Sequence, residues 1–218
     1  MKTIFVFFAL TILSGCGCEE LPYELWIDSA CSPGDQKVIR DSVATVNAWT
    51  RENIIFRFRN MKELAERAIA QISDEDLQWR PDPEANSIAI IMQHIYGNML
   101  SRWSEFLTSD GEKPSRDREG EFTQPEIFQR EQLFQEWEKG WNCLFQTLNQ
   151  LKPGDLTNDI TIRGQKLSVV DAILRQISHY SNHIGQIVYI ARMKKGLNWN
   201  SLSIPRGTYK VYKPEKRD

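Results

Sequence analysis

Apolar residues return every three or four positions along four stretches of the chain, each closed by proline, glycine or a polar run. That period predicts helices with one face turned inward. The first stretch runs from about Ser42 to Ile72, where Phe56, Met61, Leu64, Ala68 and Ile72 recur among Arg57, Arg59, Lys62, Glu63, Glu66 and Arg67. SDEDLQWRPDP breaks it, because Pro81 and Pro83 cannot continue a helix. A second helix is expected from Asn86 or Ser87, either a suitable N-cap, to Leu107. It is apolar around most of its circumference at first, which predicts deep burial. Thr123 and Glu126 form a capping-box pattern for a third helix, with Pro125 in its first turn. Its stripe is Ile127, Leu133, Phe134, Trp137, Trp141, Leu144, Phe145, Leu148 and Leu151, and Pro153-Gly154 stops it. Ser168 and Asp171 open a fourth helix that runs to about Lys195 and ends at Gly196.

Between these helices, TSDGEKPSRDREGEF reads as a polar connection too long for a tight helical hairpin. DLTNDITIRGQKLS alternates over a few residues around Gly164, enough for a short β-hairpin. With four amphipathic segments and no extended sheet, the expected fold class is all-α, an antiparallel four-helix bundle. The tryptophans, tyrosines and phenylalanines are accounted for as its core. The expected organisation is a leader over 1–16, a linker over 17–42, the bundle over 43–210 and a basic tail over 211–218.

Composition narrows the picture. A chain of 218 residues with 41% apolar and 26% charged residues fits one globular domain. A net charge of −2 gives no reason to expect nucleic acid, and KVYKPEKRD is basic but short. Cys16, Cys18 and Cys31 lie at the front and Cys143 stands alone in a helical pattern, so no paired zinc-knuckle spacing exists and Cys143 reads as a small buried hydrophobe.

MKTIFVFFALTILSGC places Lys2 before an uncharged apolar run from Ile4 to Leu13, too short for a final membrane span and suited to a signal peptide. Leu13-Ser14-Gly15-Cys16 resembles the bacterial lipobox, which implies lipidation and membrane anchoring at Cys16. The competing reading is a start codon placed too far upstream, or a loose, flexible leader. The location follows: cell envelope if the leader is real, cytoplasmic otherwise. GCEELPYELWIDSACSPGDQKVIRD shows no sustained period and reads as the linker.

The chain has three histidines. His179 and His183 sit at i and i+4, on one helix face with β-carbons roughly 5–6 Å apart. Two imidazole nitrogens so placed can meet on one ion at about 2.0–2.1 Å each. Ile173, Ile177, Ile184, Ile187 and Ile190 predict that this helix is largely buried, which favours the neutral imidazole that binds metal. His94 lies between Ile91 and Ile95, beside Gly97, whose missing side chain would permit a close helix–helix approach. If the second and fourth helices are neighbours, three imidazoles meet and a coordination position stays open. The alternative is that each histidine bonds a carbonyl, or Asn98, Asn182 or Gln186. No HExxH occurs, so no zincin-type general base stands beside these residues.

NSIAIIMQHIYGNMLSRWSEFLTSDGEKP, WEKGWNCLF and HYSNHIGQIVYIARMKKGLNWNSLSIPRG resemble an uncharacterised branch of the DinB/YfiT-like superfamily, over roughly residues 50 to 208. The resemblance implies a four-helix bundle in which one histidine of the second helix and an HxxxH of the fourth hold a divalent metal, zinc, nickel or iron. Those positions correspond to His94, His179 and His183. It also implies homodimers, and activities that range over thiol-dependent S-transfer, thiol-dependent isomerisation and metal-dependent hydrolysis. The front of the chain departs from the family pattern, and export would separate the protein from cytosolic thiols. The expectation is a metal-dependent enzyme acting on a small molecule, a thiol S-transferase or hydrolase. Asn98, Tyr180, Asn182 and Gln186 are candidates to support the ligands. A non-catalytic envelope lipoprotein or binding module with a structural metal is the second reading.

Overall fold

The computed structural model describes residues 32–123, 129–152 and 154–213. The leader, Cys16, Cys18, Cys31 and the end of the basic tail lie outside these residues. The chain divides into two units, Met1–Val43 and Ala44–Asp218. Of the first, the described part is Ser32 and the opening of the first helix, α1 (Pro33–Ile69). That helix starts about nine residues before the apolar period does, inside the stretch read as linker. Ser32 explains the early start: its Oγ accepts from the Asp35 N–H at 3.3 Å and donates to the Asp35 carboxylate at 2.6 Å. Pro33 then occupies the one helical turn that tolerates it.

The second unit is mostly helical. After α1 come a one-turn helix α2 (Asp74–Gln78), α3 (Ile88–Trp103), α4 (Arg130–Gln150) and α5 (Val169–Lys195). A short 3-10 turn covers Gly120–Phe122. Two strands, β1 (Asp159–Ile162) and β2 (Gln165–Ser168), form the antiparallel hairpin that the alternation allowed. Arg163 and Gly164 join them at φ 55° and 74°, a two-residue turn whose twist matches the strands. No described helix is long and apolar enough to cross a membrane.

Caps set most of the helix ends. Ser73 forms a reciprocal capping box with Asp76, Ser87 accepts from the Ile90 N–H, and Ser168 accepts from the Asp171 N–H. The third long helix differs from expectation: it begins at Arg130, and Gln129 at its cap position makes no side-chain bond. Thr123 instead closes the 3-10 turn, while Glu126 falls outside the described residues.

All four long helices contribute to one apolar core. Within α1 the inward face is Ile54, Ile55, Phe58, Ala65, Ala68 and Ile69, and Phe56 turns outward. The adjacent isoleucines set that phase, placing Phe58 one turn on and fully buried. Its ring meets Trp103 edge-on at 5.9 Å and Tyr180 at 6.0 Å. From α4, Leu133, Trp137, Trp141, Leu144 and Leu148 are buried. Ile173, Ile184 and Ile187 are buried on α5, with Ile177 and Ile190 packed beside them. Helix α3 packs on both α4 and α5. Each fully buried side chain of this size stabilises the fold by roughly 1.5–3 kcal/mol.

A polar chain crosses the core. The Tyr180 hydroxyl accepts from Trp103 Nε1 at 3.1 Å and donates to Asn98 Oδ1 at 3.0 Å. Complete burial pushes this phenol's pKa upward and keeps it neutral. A Tyr180→Phe substitution preserves the shape but leaves two buried partners unpaired. The expected loss is about 1–3 kcal/mol in urea unfolding; unchanged stability would show that the hydroxyl contributes nothing there.

Candidate functional site: a three-histidine cluster in a cationic cavity

Helix α3 carries His94, Asn98 and Arg102 at successive four-residue steps, so all three share one face. Helix α5 carries Gln176, His179 and His183 on the face that meets it. The helix neighbourhood expected from sequence is therefore present, and the three histidines come together. Their ligand-capable nitrogens all lie within 4.8 Å of one another. His94 Nε2 and His183 Nε2 stand 3.2 and 3.1 Å from His179 Nε2. Three nitrogens at tetrahedral positions about 2.0–2.1 Å from one ion would be roughly 3.3–3.4 Å apart, so the donor set and its spacing fit a divalent metal.

The opposite edges of the rings are anchored. His94 Nδ1 lies 2.9 Å from the Glu121 carboxylate, and His183 Nδ1 lies 2.9 Å from Gln186 Oε1. Both oxygens accept, so each Nδ1 carries the proton and each Nε2 presents a lone pair. His179 Nε2 has one proton at most to share between two such neighbours. Burial, then the neighbouring His183 and His94, push the His179 pKa down to about 3, which keeps it neutral. Burial and His94 lower His183 as well, against the raising effect of Gln186.

Of the supporting candidates, Gln186 holds His183 and Asn98 lines the cavity. Tyr180 contacts the site through its ring, 5.4 Å from that of His179, while its hydroxyl turns into the core. Asn182 is exposed and is not part of the cavity lining. Cys143 is half-buried, 3.7 Å from Ser104 Oγ, and also lies away from the cavity.

The segment read as a plain connection supplies the rest of the site. Its anchor is Asp110, whose carboxylate accepts from the N–H groups of Glu112 at 2.7 Å and of Arg163 and Gly164 at 2.8 Å each. Gly111 donates to the Thr161 carbonyl at 2.8 Å and its own carbonyl accepts from Ser101 Oγ and Arg102. The connection is thereby pinned to the hairpin turn on one side and to α3 on the other. It delivers Arg116, Arg118, Glu121 and Phe122 to the histidines.

Glu121 is the buried carboxylate of this group. Arg116 donates to its two oxygens at 2.7 Å each, as a fork. Burial alone would raise its pKa, but the bonds from His94 and Arg116 hold it below the usual carboxylate range. Room for it comes from Gly97: a Cβ there would stand 2.2 Å from Glu121 Oε1. The glycine thus admits a carboxylate rather than the expected second helix. Close helix approach occurs instead at Gly140 of α4, whose added Cβ would meet the Tyr96 backbone at 3.3 Å.

The resulting cavity measures about 320 Å³. Arg102, Arg116, Arg118, Arg163 and Arg175 all line it, and among the described residues no aspartate or glutamate does. Glu112 sits just behind, joined to Arg163 at 2.8 Å, Arg102 at 3.0 Å and Arg116 at 3.2 Å. Burial would raise this carboxyl, yet the bonds from Arg163 and Arg102 bring it down to about 2.

That depression has a direct consequence in acid. Because the folded pKa lies below the unfolded value of 4.5, Glu112 contributes stability above pH 4.5 that is lost as pH falls towards 2. Wild type should therefore lose its advantage over Glu112→Gln across that window when unfolding free energies are compared. Parallel curves would mean that the three arginines do not stabilise the carboxylate. In Gly97→Ala, overpacking of about 1–3 kcal/mol should outweigh the helix-propensity gain of about 1 kcal/mol. A more stable variant in thermal unfolding would place Glu121 elsewhere.

A search among curated proteins gives no match. A family model does match, over residues 45–208, a span that contains every residue of the cavity. The chain belongs to that family, described as a protein of unknown function (DUF1572).

Proposed function

We propose that the chain is a metal-dependent enzyme built on an antiparallel four-helix bundle of the DinB/YfiT-like kind, with His94, His179 and His183 holding a zinc, nickel or iron ion. One observation carries this reading: three Nε2 atoms converge, and two of them present lone pairs because their Nδ1–H groups donate to Glu121 and Gln186. A cation at their meeting point satisfies all three, whereas a single proton cannot. Three protein ligands leave a position open to the cavity, as in catalytic rather than structural centres.

When bound, such an ion supplies Lewis-acid chemistry, bringing the pKa of a water or thiol into the neutral range. The chain's own residues do the rest. Glu121 fixes the tautomer and orientation of His94, and Arg116 keeps Glu121 ionised. Gln186 does the same for His183. Phe122, 4.7 Å from the His94 ring, shields one side of the cluster from water. Among the described residues the cavity lining includes neither a carboxylate nor a cysteine, and an attacking thiol would come from a co-substrate. Transfer to such a thiol, or hydrolysis, on a small molecule is the reaction class that fits.

Metal analysis of protein isolated from its own cell tests the centre. The expected content is about one ion per chain, lost in a His183→Ala variant that keeps its helical spectrum. Adding the ion back to stripped wild type should raise its melting temperature, by the equivalent of about 2.7 kcal/mol at a hundredfold excess over Kd. Native protein free of metal and indifferent to it would sink the proposal.

A further inference from the structure

The cavity beside the histidines carries more positive charge than its own partners neutralise. Glu112 and Glu121 are shared among Arg102, Arg116 and Arg163. Arg118 pairs with the exposed Glu119 at 3.2 Å and lies 5.2 Å above the Phe122 ring. Among the described residues Arg175 has no ion-pair partner, and it lines the cavity. A cation at the histidines would add to this excess. Low-dielectric walls concentrate such a field and raise the local concentration of anions.

A second observation concerns Gln176. It is 4% exposed, it lines the same cavity, and its Oε1 has no hydrogen-bond partner. Buried polar atoms are almost always paired, so an unpaired one at a cavity wall marks a place for a ligand group.

We infer that the cavity is the binding site of a small oxyanion-bearing molecule, a carboxylate or phosphoryl compound. Its anionic group sits on Arg118, Arg163 and Arg175, and a hydroxyl or amide on it donates to Gln176. Arginine is suited to this task because its planar fork matches both kinds of oxyanion. Arg163 reaches the site from the hairpin turn and Arg118 from the pinned connection. A volume of about 320 Å³ restricts the occupant to a small metabolite-sized compound. The inference rests on the metal-centre reading for the direction of the reacting end, which would face the histidines; the charge selection stands on the arginines alone.

Calorimetric titration of the full chain tests this, with succinate, inorganic phosphate and the uncharged succinamide as probes, on metal-loaded and metal-stripped protein. At least one anion should bind and succinamide should not, with affinity falling as salt rises. The tighter of the two anions identifies the group. Arg175→Gln and Arg118→Gln, both at exposed positions, should each weaken binding roughly tenfold while unfolding curves stay unchanged. Binding that survives both substitutions, equal binding of succinamide, or no binding by either anion would overturn the inference. Anion binding by stripped protein that never takes up metal would leave this site standing and defeat the metal reading alone.

Discussion

The site is organised by one buried carboxylate. Glu121 has its two oxygens occupied by the Arg116 fork and by His94 Nδ1, within a space left by the absent side chain of Gly97. Taking a carboxylate out of water costs several kcal/mol, and removing one partner of such a buried pair typically costs about 3–5 kcal/mol. Each member of the chain Arg116–Glu121–His94 is thus held by the others. The arrangement fixes two things at once: the connection after α3 is fastened to that helix, and His94 is left with Nε2 as its only free nitrogen.

The same logic recurs at lower cost around the rim. Asp110 gathers three backbone N–H groups from two distant segments, and Glu112 gathers three guanidiniums. These two acids convert a long polar segment into a wall. Glu112 also lets three of the five arginines stand close together, since it pairs with all three from behind the wall without entering the cavity.

Helix positions and the histidine cluster were legible in the sequence because both rest on periodicity. His179 and His183 share a face by spacing alone, and the apolar pattern around His94 predicted the burial that brings it to them. The phase of α1 was harder, since Phe56 and Phe58 both suit a stripe and only the packed core decides between them. The wall was not legible. Its residues come from a connection and a hairpin turn, and the pairings of Asp110 with Arg163 or Glu121 with His94 cross 53 and 27 residues without any period. RDREGEF gave one weak signal, alternating charges beside glycines in a segment too long for a turn. The early start of α1 hung on a single cap at Ser32, followed by a Pro-Gly pair that ordinarily marks a break.

The hairpin turn has a consequence for how such a protein could change. The histidines stand on α3 and α5, locked by the apolar core, whereas Arg118 and Arg163 belong to a connection and to the turn of the hairpin. Arg163 is tied to the rest by its backbone N–H on Asp110 and by its guanidinium on Glu112. A shorter polar residue at that position would keep the backbone bond and give up the one to Glu112. Such an exchange would alter what the mouth attracts while the imidazole cluster stays in place. Imidazole cluster and charged rim are, in this architecture, carried by different parts of the chain.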